Sequence, residues 1–209
     1  MSKYRFAESD IYLPGTGIPK NHLGIETPDL LHEVEATLLQ QAYTRFITEL
    51  EASVRFDENY FKALHRDAYE SLYEWAGLYR TVDMSKGRSL FCRAAYLEQE
   101  ARRIFRELER EQYLKQAAAG TLEDFAARLA HYQSELIALH PFYELNGRIT
   151  RLFFDLIAVH NGYEPIDYSQ ALAEGSTGLN AYIEASILCV QRADSSKLQQ
   201  IILQGLRRT

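Results

Sequence analysis

The sequence predicts an all-α protein carrying one small β-hairpin. Three observations lead there. Apolar residues recur at three- and four-residue spacing along most of the chain, the mark of amphipathic helices. Strand-favouring residues gather in one stretch, 78–91, around a single turn signal. No repeat, low-complexity tract or long linker divides the 209 residues. A chain of that length suits one domain, whose core can bury roughly 70% of the surface exposed by the unfolded chain.

The elements follow in order. Residues 13–25, LPGTGIPKNHLGI, are rich in Pro and Gly and read as an extended arm. Thr27 can cap a first helix with Pro28 at its first position. Leu30, Leu31, Val34, Leu38 and Leu39 carry that helix to about Leu50. Asp57 or Asn59 can cap a second, with Phe61, Leu64, His65, Ala68, Tyr69 and Leu72 on one face and Gly77 as its stop. Tyr79, Thr81 and Val82 then favour strand, and Lys86-Gly87 is the hairpin turn. Residues 94–114 return to helix, with Glu and Arg paired along the wet face. Thr121 with Asp124 resembles a capping box for a helix reaching Leu139. Further helices fit Ile149–His160, Ser169–Ala173, Gly178–Val190 and Ser195–Leu206. The organisation is a single domain over 1–209, with an arm (1–27), a core (28–165) and C-terminal helices (166–209).

Composition excludes several classes. Acidic residues outnumber basic ones 29 to 23, for a net charge of −6. That argues against a general nucleic-acid binder, whose affinity comes from Lys and Arg on phosphate. No apolar run is long enough to span a membrane, and MSKYRFAESD has no apolar leader core. Two cysteines, Cys92 and Cys189, do not make a disulfide framework and suit a reducing compartment. A cytoplasmic location is therefore expected. The aromatic excess, 14 Tyr and 10 Phe, reads as core.

The chemistry concentrates in HPFYELNGRITR, residues 140–151. One helix ends on His-Pro, a short polar loop follows, and a new helix begins. The free N–H groups of that new first turn, together with the helix dipole, form an anion site. Gly147 allows close backbone approach or positive φ. Arg148 and Arg151 share a face and, with Asn146 and Gly147, suit a polyphosphate. Glu144 is placed to hold Mg²⁺, which takes one or two carboxylates plus phosphate oxygens. His140, with an ordinary pKa near neutrality, is the natural general base.

This stretch resembles the signature of the Fic (filamentation induced by cAMP) family, H-P-F-x-D/E-G-N-G-R-x-x-R, at eleven of twelve positions counting the free ones. Upstream, LHRDAYESLYEWAGLYR (64–80) resembles the family segment ending W-A-G-x-x-R, and YLPGTGIPKNHLGI (12–25) is similar to the arm before many bacterial Fic cores. The resemblance spans roughly residues 12–165 and implies the Fic helical bundle with a hairpin flap. It implies a protein adenylyltransferase that moves AMP from ATP to a Ser, Thr or Tyr hydroxyl. His140 would be the base, Glu144 the Mg²⁺ ligand, Asn146, Gly147 and Arg148 the α- and β-phosphate site, Arg151 the γ-phosphate site, and Phe142 a core anchor. The flap, with Tyr79, Arg80, Thr81, Val82, Lys86 and Phe91, would dock the target by strand addition.

Two departures matter. Leu145 stands where the family has Gly. At positive φ a non-Gly residue costs on the order of 1 kcal/mol or more, and its side chain could crowd the α-phosphate. Doc-type relatives have Ala there and phosphorylate instead. Ordinary AMP transfer, an altered donor or orientation, and a catalytically impaired nucleotide-binding or interaction module all stay open. Second, the restraining pattern S/T-x-x-x-E-G/N is absent: Glu58-Asn59 follows Val54 and Glu174-Gly175 follows Gln170. The resemblance then implies a toxin restrained by a separate small antitoxin, with gyrase or topoisomerase IV as targets. The acidic balance implies that a DNA-related process would be reached through such a protein rather than by direct nucleic-acid contact. Elsewhere, His65 reads as a packed structural histidine, and the His131–Glu135 pair lacks further metal ligands.

Overall fold

Helix α1, Pro28–Thr48, starts on Pro with Asp29 in its first turn, but the Thr27 side chain makes no cap bond. Its inner face buries Leu31, Glu35, Ala42 and Phe46. Helix α2, Glu58–Tyr69, is capped by Asp57, whose carboxylate accepts the Tyr60 N–H at 2.9 Å. It stops eight residues before Gly77, because the chain turns back on the helix and brings Tyr73 and Trp75 into the core. Gly77 does adopt positive φ, and a Cβ there would lie 2.7 Å from the Arg66 Cβ. The coordinates are a computed structural model that describes residues 5–6, 11–174 and 178–209.

Strands β2 (Met84–Lys86) and β3 (Ser89–Leu90) form the expected hairpin, with Lys86 opposite Ser89 and Gly87 at positive φ. Residues 79–82 precede it rather than belonging to it. A strand that the sequence does not signal, β1 (Arg5–Phe6), pairs antiparallel with β2 and makes the order β1-β2-β3.

Helix α3 is Leu97–Arg110. It ends four residues earlier than its pattern, because Gln112, Tyr113 and Leu114 are all at positive φ before α4, Lys115–Ala119. Such backbone costs roughly 1–2 kcal/mol per residue. Burial of Leu114 and the Tyr113 ring packed edge-on to Phe56 at 5.5 Å offset it. Helix α5, Leu122–Leu139, has the complete Thr121/Asp124 capping box. After α6 (Asn146–His160) come α7 (Ser169–Leu172), α8 (Ala181–Arg192) and α9 (Ser196–Gly205). Helix α8 starts later than Gly178 because Asn180 caps it, accepting the Ile183 N–H at 2.8 Å.

Helix α6 is apolar on nearly every side, and Ile149, Leu152, Phe153, Phe154, Leu156 and Ile157 are wholly buried. A helix of that pattern belongs at the centre. It packs on α1, α2 and α5, while α5 also contacts α3, α8 and α9. Phe56, Phe61, Phe105 and Phe142 surround Phe153 or one another at centroid distances of 5.2 to 5.8 Å, so the aromatic excess fills the core. Among the described residues no helix is long and apolar enough to cross a membrane.

Candidate active site

The loop joining α5 to α6 is bracketed by two left-handed residues. His140 caps α5 at φ 46°, and Leu145 opens α6 at φ 66°. The loop is tied from within by Asn146, whose Oδ1 accepts the Phe142 N–H at 2.8 Å and whose Nδ2 donates to the Phe142 carbonyl at 2.7 Å. From below it is tied by Arg80. The guanidinium donates to the carbonyls of His140 (2.8 Å), Val82 (2.6 Å), Leu139 (3.3 Å) and Cys92. His65 is the third tie. Its Nδ1 accepts the Gly77 N–H at 3.0 Å, so Nε2 carries the proton and donates to the Glu144 carbonyl at 3.2 Å. Burial lowers the His65 pKa to about 4, which keeps this tautomer neutral. The structural reading of His65 holds.

Above the loop lies a cleft of about 1340 Å³. Its walls are the arm at Gly15–Pro19, α1 at His32 and Glu35, the hairpin at Lys86–Ser89 and Phe91, the first turns of α6, and α8 at Tyr182. His140 sits in the floor with its ring stacked on Phe91, centroids 3.8 Å apart and planes within 10°. Burial, then the charge of Arg80, depress its pKa to about 3, against a hydrogen bond to the Ile137 backbone. The imidazole is therefore neutral near pH 7, and a neutral imidazole keeps one nitrogen as a proton acceptor. The Glu144 side chain lines the cleft, its Oε1 accepting the Tyr12 hydroxyl at 2.7 Å.

At the start of α6 the Arg148 and Ile149 N–H groups bond to the Leu145 carbonyl. Those of Asn146 and Gly147 precede the first intrahelical bond and are left for an anion. Gly147 has ordinary helical backbone, so positive φ belongs to Leu145 instead. A Cβ on Gly147 would meet nothing closer than Arg151 Nη1 at 3.8 Å, so its bare Cα leaves the helix end open to a ligand. Arg151 lies over the Tyr182 ring at 4.9 Å. Arg148 pairs with Glu35 at 2.8 Å.

The structure thus brings His140, Glu144, Asn146, Gly147, Arg148, Arg151, Lys86 and Phe91 to one cleft. It does not bring Tyr79, Arg80, Thr81 or Val82 there. Arg80 is corrected from a docking residue to a buried clamp, 2% exposed with its guanidinium spent on carbonyls. Tyr79 packs its ring on Phe142 and under the Lys62 amine, at 5.6 and 4.0 Å, so it too is a support. Thr81 contacts the Tyr143 hydroxyl at 3.0 Å. The Asn146 side chain holds the loop, and its backbone N–H lies at the open start of α6. Glu144 puts a carboxylate in the cleft beside the α6 N-terminus, a donor that suits Mg²⁺ taking its other ligands from phosphate and water. Glu135 is engaged by Arg103 rather than paired with His131 for a metal.

Sequence reasoning missed Tyr12, His32, Glu35 and Tyr73. For Glu35 a signal existed: an acid four residues after Leu31 and three before Leu38, on the apolar face of α1. For Tyr12 the arm was legible but its contact was not.

The Fic/DOC family model matches residues 55–158. The chain is 39% identical over 163 residues to the probable protein adenylyltransferase Fic of Salmonella typhimurium, covering 76% of this chain and 78% of that one. It is 37% identical over 164 residues to the protein of the same name from Escherichia coli, covering 77% and 78%. It is 36% identical over 172 residues to protein adenylyltransferase VbhT of Bartonella schoenbuchensis, covering 81% of this chain and 34% of that longer one. Among solved structures, BepC of Bartonella tribocorum with bound AMPPNP superposes with a TM-score of 0.80 at 20% identity, over 95% and 97% of the two chains. A Bartonella quintana Fic domain with bound ADP gives 0.81 at 21%, over 95% of each. At those identities the structures speak for the fold alone, and with the sequence relatives and the motif geometry they place this chain in the Fic/DOC family.

Proposed function

We propose that the protein transfers AMP from ATP to a hydroxyl group of a target protein. The observation that carries this reading is the convergence of a neutral His140, the Glu144 carboxylate and the open N-terminus of α6 on one cleft. The α6 N–H groups with Arg148 and Arg151 receive the polyphosphate, where fixed donors aimed at developing charge are most effective. Glu144 would hold Mg²⁺, which supplies positive charge against the departing pyrophosphate. His140 takes the proton of the target hydroxyl as its oxygen bonds to the α-phosphorus. The bond from that phosphorus to the bridging oxygen breaks, and pyrophosphate leaves. Phe91, stacked flat on the imidazole, fixes the plane of the base. The names of the sequence relatives support AMP transfer, and AMPPNP in the BepC structure supports ATP as the donor.

The hairpin beside the cleft suits docking of an extended target segment. Missing the S/T-x-x-x-E-G/N pattern, the chain fits a toxin restrained by a separate small partner. A bacterial type II topoisomerase, gyrase or topoisomerase IV, is the target class that the family resemblance supports, met in the cytoplasm.

Incubating the protein with Mg²⁺, labelled ATP and a bacterial lysate should label a protein or the chain itself, and His140→Ala should abolish the label. Equal labelling by His140→Ala would overturn the assignment of the base. Leu145, whose side chain also lines the cleft, favours one second reading, a shifted nucleotide that donates phosphate instead. Intact mass of the product separates AMP from phosphate.

A further inference from the structure

Among the described residues, Arg148 is the one cleft arginine paired with a carboxylate. Its Nη1 donates to Glu35 Oε2 at 2.8 Å, and its Nη2 lies 3.0 Å from His32 Nδ1. A guanidinium has no acceptor, so His32 is the acceptor in that contact. Glu35 is fixed in turn: Oε1 accepts the Tyr73 hydroxyl at 2.6 Å, and the Tyr73 ring stacks on Trp75 at 4.4 Å and 16°. Glu35 is 8% exposed and Tyr73 1%. An unbroken chain of contacts therefore runs from the core to the guanidinium at the mouth of the anion site.

This arrangement is poorly explained by stability. An apolar side chain at that point on the inner face of α1 would pack without desolvating a charge, and buried ion pairs are often no better than their apolar replacements. A carboxylate also repels phosphate, so Glu35 does not itself bind the nucleotide. What the contacts do is hold a long, flexible side chain in one place. A free arginine gives up rotamer entropy when ordered, and an arginine ordered beforehand spares the ligand that cost. The terminal nitrogens each carry a second hydrogen, so the bonds to Glu35 and His32 fix the fork without exhausting it.

We propose that Glu35, buttressed by Tyr73, is a positioning residue that pre-orients Arg148 for the phosphates of the nucleotide. The proposal rests on reading the cleft as the ATP site. A different outcome is equally concrete: Glu35 could sequester Arg148 and brake the enzyme, and then its removal would tighten binding.

The test measures binding of a non-hydrolysable ATP analogue, pyrophosphate and adenosine to wild type, Glu35→Gln and Tyr73→Phe, with ATP kinetics and thermal unfolding alongside. Glu35→Gln should weaken the ATP analogue and pyrophosphate about tenfold, near 1.4 kcal/mol, and raise KM for ATP. Adenosine should change by less than about twofold, since it lacks the groups that Arg148 would meet. Tyr73→Phe should shift the same ligands in the same direction by less, and it serves where Glu35→Gln fails to fold. Unchanged or tighter phosphate binding in a folded variant would overturn the proposal, as would equal weakening of adenosine. Wild type that binds neither ATP analogue nor pyrophosphate would instead overturn the ATP-site reading, and this inference with it.

Discussion

Leu145 is held in a left-handed conformation that its own Cβ disfavours, at φ 66° and ψ 7°. Such backbone costs roughly 1–2 kcal/mol for a non-glycine residue. The side chain is 7% exposed and belongs to the core cluster, however, and deleting a buried Leu side chain costs about 2–5 kcal/mol. Gly also loses more freedom on folding, by roughly 0.5–1 kcal/mol. Packing therefore outweighs strain, and Leu145→Gly should lower stability by about 1–3 kcal/mol as read by denaturant unfolding. The same change removes a side chain from the cleft wall beside the α6 N-terminus, so kcat/KM for ATP should rise. A variant that is both less stable and slower would show that Leu145 does not crowd the nucleotide. Its positive φ was legible from the family resemblance, because a glycine position usually marks one. Gly147, the other candidate for positive φ, adopts helical backbone because it already lies inside α6.

The hairpin of β2 and β3 is engaged at both edges. β1 pairs with β2 through Arg5↔Ser85 and Phe6↔Met84. β3 lies against α8, where Gln191 Nε2 donates to Ser89 Oγ at 3.0 Å. An extended target that adds to the β2 edge must displace the chain's own strand, since each backbone N–H and C=O on that edge pairs once. Removing residues 1–6 should therefore increase labelling of a sub-saturating protein target, by about three- to tenfold if β1 is worth 0.6–1.4 kcal/mol. Affinity for ATP should stay the same, and unchanged target labelling would mean that docking uses another edge. Neither β1 nor the run of positive φ at Gln112–Leu114 was legible in the sequence, and for one reason. Both are fixed by distant partners, whereas periodicity and capping report only on neighbours along the chain. The loop from His140 to Arg151 was legible because its chemistry is local. Its supports were not, since Tyr12 meets Glu144 across 132 residues and Glu35 meets Arg148 across 113.

Across the whole molecule, one buried carboxyl joins three parts of the fold. Asp155 of α6 accepts the Tyr43 hydroxyl of α1 at 2.7 Å and the Ile166 N–H of the following segment at 3.1 Å. It is 3% exposed. Burial pushes its pKa up to about 7, although both hydrogen bonds and the charge of Arg151 pull the other way. In the unfolded chain the same group ionises near its ordinary value of about 3.9. Between these two values the folded protein holds a proton that the unfolded chain releases, so stability falls as pH rises through that window and levels off above about 7. Asp155→Asn removes the titration and keeps the shape: the amide oxygen can accept from Ile166, and the Tyr43 hydroxyl can turn to accept from the amide nitrogen. The unfolding free energy of Asp155→Asn relative to wild type should therefore improve from pH 5 to pH 8. Each pH unit inside the window is worth at most about 1.4 kcal/mol, and the nearby Arg151 charge reduces it. Net gains of about 1–3 kcal/mol at pH 8 are expected. A difference between variant and wild type that does not change with pH would show that Asp155 is already ionised in the fold. In that case the contact joining α1, α6 and the segment after it would be an ordinary charged hydrogen bond rather than a protonated one.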